Sequence, residues 1–135
     1  MARLSSIRTN MEMAEKGVWV PYEAGIEIKV TSIDNSKYRA CVEALLKPHL
    51  RRIRAGLIEL EEKSKLIRPA VAKYILVDWK GIEDDEGNNI EYSVAKAEEI
   101  LGDGAFSNFY DFVLTCSNDH SLFRDQSMEQ VEANL

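Results

Sequence analysis

Ile26-Glu27-Ile28-Lys29-Val30 alternates apolar and charged side chains, which is the period of a half-buried strand. Val18-Trp19-Val20 precedes it, and Pro21 and Gly25 sit between the two runs, so the pair predicts a β-hairpin. A lone hairpin is marginal in water, and this one must pack on helices or pair with another chain. Residues 1–16 are polar and aperiodic, which predicts a flexible N-terminal arm ahead of a single domain over 17–135.

From residue 34 onward the pattern turns helical. Asp34-Asn35-Ser36 offers N-cap side chains for a helix beginning near Lys37. Tyr38, Cys41, Val42, Leu45 and Leu46 then share one face until Pro48 interrupts. His49 to Ile58 reads as a short helical piece or a loop around Gly56. The next segment, about Glu59 to Trp79, repeats apolar residues at threes and fours through Leu60, Ile67, Val71, Tyr74, Ile75 and Trp79. Pro69 lies inside it, so the expectation is a helix from Glu59 with a bend near Pro69. Ser93 caps a helix from Val94 to Leu101, stopped by Gly102 and Gly104. Another starts near Ala105 with Phe109, Phe112, Val113 and Cys116 as its apolar stripe. Asp119 or Ser121 caps a last helix reaching about Ala133. The fold class is α+β, mainly α: an N-terminal β-hairpin or small sheet followed by a bundle of about four to six helices.

Charge divides this chain. Residues 1–82 carry 15 Lys/Arg against 10 Asp/Glu, whereas residues 83–135 carry 2 against 13. The sign changes at Val77-Asp78-Trp79-Lys80-Gly81-Ile82, where the pattern leaves an apolar run and enters an acidic Gly/Asn loop. Trp79 is expected to anchor the two halves there. An acidic balance, with a pI near 5.0, argues against nucleic acid as a partner, and no apolar run is long enough to span a membrane. Cys41 and Cys116 lie in no Cys-x-x-Cys motif, so they read as reduced, partly buried residues of a cytosolic protein.

Little in the chain reads as catalytic chemistry. With Gly87 as the sixth residue of a calcium loop, positions one and twelve would be Ile82 and Ser93, where carboxylates are needed. The acidic loop is therefore read as a solvated turn. His49 and His120 have no ligand partner at helical spacing. Cys116 could meet His120 through the fold, but it continues the stripe of Phe109 and Phe112 and is read as core. The cluster Lys47, Arg51, Arg52 and Arg54 reads as a solvated face, or as a patch that meets the acidic half of another copy. No catalytic, cofactor-binding or metal-binding residue is nominated, and the chain is read as a non-enzymatic binding protein. Tyr110 is expected to point away from the inner face shared by Phe109 and Phe112; with Trp19 and Tyr22 it forms the set of candidate partner-binding aromatics.

Three stretches carry a family resemblance: Gly17-Val18-Trp19-Val20-Pro21-Tyr22 through Asn35-Ser36-Lys37-Tyr38-Arg39; Ala72 to Ser93 around Val77-Asp78-Trp79-Lys80-Gly81-Ile82; and Phe109-Tyr110-Asp111-Phe112-Val113 with Asn118-Asp119 and Leu122-Phe123-Arg124. In this order and spacing the chain resembles tail assembly chaperones of long-tailed bacteriophages and prophages. The resemblance implies a protein of the host bacterial cytoplasm, absent from the mature virion. It would bind the hydrophobic, largely helical tape-measure protein and keep it soluble and extended until the tail tube polymerises. It also implies contact with the tail-tube protein through a frameshifted, C-terminally extended form. The charge halves add the expectation of a homo-oligomer built by head-to-tail contacts. The alternative reading is a structural tail-completion or head–tail connector protein of the virion.

Overall fold

The computed structural model describes residues 3–125. The hairpin forms as its pattern predicts. Strand β1 (Val18–Pro21) pairs antiparallel with β2 (Glu27–Val30), Trp19 lying opposite Lys29 and Val20 opposite Ile28. Ile28 and Val30 face the core while Glu27 is exposed.

A third strand, β3 (Leu76–Lys80), completes an antiparallel sheet in the order β1-β2-β3. Its residues were expected to be the end of a helix. Helix α4 (Leu60–Ala70) does begin where the pattern places it, with Glu59 as N-cap, and Pro69 lies inside it. A wider π turn, Val71–Ile75, follows and delivers the chain directly into β3. The register shifts between Lys29 and Val30, so that Lys29 faces Asp78 and Val30 faces Leu76. Val77 is thus an extra residue, a β-bulge. Leu76 and Trp79, three apart, both reach the core, and that spacing imitates a helical stripe.

The remaining helices are α1 (Met11–Lys16), α2 (Ser36–Leu46), α3 (Leu50–Arg54), α5 (Val94–Gly102) and α6 (Ser107–Asn118). The α+β, mainly α class holds. Helix α1 corrects the expectation of a flexible arm, because Ala14 is fully buried and the Asn10 N–H donates to the Phe123 carbonyl at 2.7 Å. Ala14 and the partly buried Met13 dock a helix whose other positions are mostly polar or exposed. Of the last expected helix, His120–Phe123 forms a 3-10 turn capped by Asp119, and residues 126–135 lie outside the described range.

Thr31, Ser32 and Asn35 are buried polar residues, and with Ile33 they tie β2, the π turn, α1, α2 and α6 together. Thr31 and Ser32 donate their N–H groups to Ile75 and Ala14, and Ile33 donates to Ser117. The Asn35 Oδ1 accepts from Lys37 and Tyr38 N–H as the N-cap of α2, while its Nδ2 donates to Thr31 Oγ1 and to the Tyr74 carbonyl, each at 3.1 Å. The Thr31 hydroxyl also donates to the Tyr74 carbonyl. The side-chain polar atoms of Thr31, Ser32 and Asn35 all have partners, as burial requires.

Trp79 is the expected anchor. The residue is 4% exposed, its ring meets Tyr92 edge-on at 5.0 Å, and its Nε1 donates to the Ile90 carbonyl. The acidic loop between them is a turn held by Asp84, whose Oδ1 accepts from the N–H groups of Glu86 and Asn88. Those bonds, with the Asn88 N–H foremost, hold the Asp84 carboxyl below its usual range. Its charge is used by its own loop.

Candidate functional site: a groove between three helices

Helix α2 carries the stripe Tyr38, Cys41, Val42, Leu45 and Leu46, yet none of these residues is buried; each is only half-covered. Helix α6 presents two apolar faces. Phe109, Val113 and Cys116 enter the core, while Tyr110 and Leu114, one turn apart, face α4 and α2. Between the three helices lies a groove of two adjoining cavities, of about 470 and 360 Å3, and a shallower third of about 610 Å3 continues it over α6 and Asp119. Leu114 lines all three, and Ile67 of α4 lines two. Ile33, Tyr38 and Val42 close one side, and Leu60 and Tyr110 close another. Arg39, Glu43, Lys63 and Asp111 supply a rim of both signs. From Asp111 to Asn118, the stretch of α6 beneath the groove is about 10 Å long. Two helical turns of a ligand would span it.

The three nominated aromatics are not brought together. Tyr110 leaves the face of Phe109 and Val113, but α4 covers it there and it is 5% exposed, not free at the surface. Its hydroxyl lies 3.4 Å from Ser64 Oγ and Arg68 stacks 5.2 Å from its ring centroid, so it forms groove wall from below. Tyr22 packs on Phe109 and Phe112 at 5.3 and 4.6 Å beside a different cavity. Trp19 lies on the other face of the sheet, with the Lys80 ammonium 4.1 Å from its ring centroid. Sequence reasoning missed Leu114 and Ile67. The signal for Leu114 was the second pair, Tyr110 and Leu114 at i and i+4, which one core face did not need.

The outer edge of β1 is a poor template for an added strand. Tyr22 N–H donates to the Ile26 carbonyl, so the alternation of antiparallel pairs turns the backbone groups of Trp19 and Pro21 outward. Proline has no N–H, leaving one donor on that edge.

The Cys116 thiol is pushed up to about 11, first by burial and then by Asp119, and is protonated at neutral pH. His120 turns its Nδ1 to Asp34 Oδ2 at 3.7 Å. No helix among the described residues is long and apolar enough to cross a membrane.

The fold and groove define a small α+β protein with a helix-width apolar surface. Residues 33–134 match the model of the YdaY prophage protein family. The chain belongs to that family, and so is a prophage protein. No curated protein and no solved structure matches it.

Proposed function

We propose that this prophage protein is a non-enzymatic tail assembly chaperone whose groove between α2, α4 and α6 receives amphipathic helical segments of the tape-measure protein. The observation that carries this reading is the half-covered apolar floor of Ile67 and Leu114, walled by the unburied stripe of α2. An amphipathic helix docks in such a groove through apolar anchors at i, i+3/i+4 and i+7, and the cavities that meet at Leu114 offer places for them. The blunt edge of β1 favours a helical client over an extended one. The mixed charge of the rim suits a client read by its apolar face. Prophage membership and the resemblance to tail chaperones support the tape-measure protein as the proposed client, and with it a proposed place of action in the host cytoplasm before the tube closes.

Co-expression with the tape-measure protein tests the proposal. The client should be soluble with the wild-type chain and insoluble with Leu114→Asp or with Thr115→Arg, which obstructs the groove from an exposed position. Equal client solubility with all three chains, each folded by circular dichroism, would exclude the groove. A chain that persists in purified particles would instead be a tail-completion or connector protein.

A further inference from the structure

A second apolar cavity, of about 250 Å3, lies away from the groove, between the β1–β2 turn, Ile82, the end of α5 and the start of α6. Tyr22, Ile82, Ile100 and Phe106 line it, and Asn108 is the single polar liner. Phe106 at its mouth is 46% exposed. Four of the segments that build it carry an exposed carboxylate beside the lining residue: Glu23 next to Tyr22, Glu83 next to Ile82, Glu99 next to Ile100, and Asp103 two before Ala105. Among the described residues only Glu99 of these four makes an ion pair, with Lys96.

The complement stands on the same chain. After α3 the backbone closes in a Schellman motif, with Gly56 N–H donating to Ile53 and Leu57 N–H to Arg52. Gly56 has φ +71, the left-handed conformation that this motif needs. The residue in the place of Leu57 commonly packs back on its helix; here it is 68% exposed. Two backbone bonds hold its Cα while the side chain projects into solvent. From Lys47 to Leu57 there are four Lys/Arg and no carboxylate. Among the described residues Arg52 pairs with Glu62, while Arg51 and Arg54 make no ion pair.

We infer that Leu57 of one copy inserts into the Tyr22–Ile82–Phe106 cavity of a second copy, with Arg51 and Arg54 meeting the exposed carboxylates on the segments that build it. The occupant is a second copy because knob and cavity match in both shape class and charge sign, and folding leaves both unused. Knob and cavity are different patches, so the contact is heterologous: each copy offers both, and the contacts continue into a ring or an open chain. A ring or chain of this kind would repeat the client groove, and it does not depend on what the groove binds.

Sedimentation velocity from micromolar to millimolar chain, at low and high salt, reads the association. The wild-type chain should form oligomers that weaken with salt. Leu57→Asp and Ala105→Arg, both at exposed positions, should each lower the association constant about tenfold or more. Mixed together, they should form a dimer and nothing larger, since one partner keeps its cavity and the other its knob. A charge exchange provides the second arm: Arg51→Glu/Arg54→Glu and Glu23→Lys/Glu83→Lys should each weaken association, and mixing them should restore it. A wild-type chain that stays monomeric throughout, or mixtures that stay monomeric while each variant is folded, would overturn the contact. None of these variants alters Ile67 or Leu114, so client solubility measured on the monomeric variants separates this failure from failure of the groove.

Discussion

Replacing Asn35 by alanine tests whether the buried polar knot, and not the helix cap alone, holds α2 in position to wall the groove. Loss of the cap to the Lys37 and Tyr38 N–H groups costs about 1 kcal/mol. Loss of the amide leaves Thr31 Oγ1 without its donor and the Tyr74 carbonyl with one donor in place of two, worth about 1–2 kcal/mol more in a buried site. The sum is about 2–3 kcal/mol, or a fall in Tm of about 6–12 °C for a chain of this size. Urea denaturation followed by tryptophan fluorescence should show the midpoint falling at constant slope. Asn35→Asp separates the two contributions. Aspartate keeps the cap oxygen but turns a carboxylate toward two buried acceptors, so it should cost at least as much as alanine. An aspartate variant as stable as the wild type, or an alanine variant losing less than about 1 kcal/mol, would refute the reasoning.

Glycine positions offer a second test: Gly81 and Gly87 both have φ near +80, but a Cβ on Gly81 would sit 2.6 Å from the Gly25 carbonyl oxygen, whereas Gly87 has nothing within 4 Å. By chemical denaturation Gly81→Ala should cost about 2–4 kcal/mol and Gly87→Ala about 1–2 kcal/mol; equal costs would remove the clash from the account. Burial raises the Cys116 thiol from 9.0 to about 11, so the folded chain holds that proton over a range where the unfolded chain has lost it. The associated stability is complete below about pH 9 and falls as pH rises toward about 11, by about 2–3 kcal/mol. Cys116→Ser should flatten that alkaline loss in thermal scans at stepped pH, and an unchanged pH slope would contradict it.

Much of the architecture was legible because local chemistry and tertiary structure agree. The hairpin, the Asn35 and Ser93 caps, and the stripe of Phe109, Val113 and Cys116 follow from side-chain period and capping alone. Strand β3 was hidden by its bulge, since an extra Val77 spaces Leu76 and Trp79 as a helix would. Helix α1 was hidden because its docking rests on Ala14, Met13 and hydrogen bonds with distant residues, too few apolar positions to show a period. The groove was half legible. The α2 stripe was visible as apolar, but a stripe signals burial of some kind, and only the packing of α4 and α6 shows that this one stays half-covered. The burial of Tyr110 was not legible for a related reason, because α6 is apolar on two faces and a single core stripe accounts for one.

Calorimetric titration of a tape-measure helical peptide into the wild-type and Leu114→Asp chains tests the central claim most directly. Leu114 lines every cavity of the groove, and a buried leucine anchor contributes about 1.5–3 kcal/mol. Saturable binding should therefore weaken by about tenfold to a hundredfold in the variant, with unchanged circular dichroism. Equal affinity for the two folded chains, or no binding by either, would contradict the account.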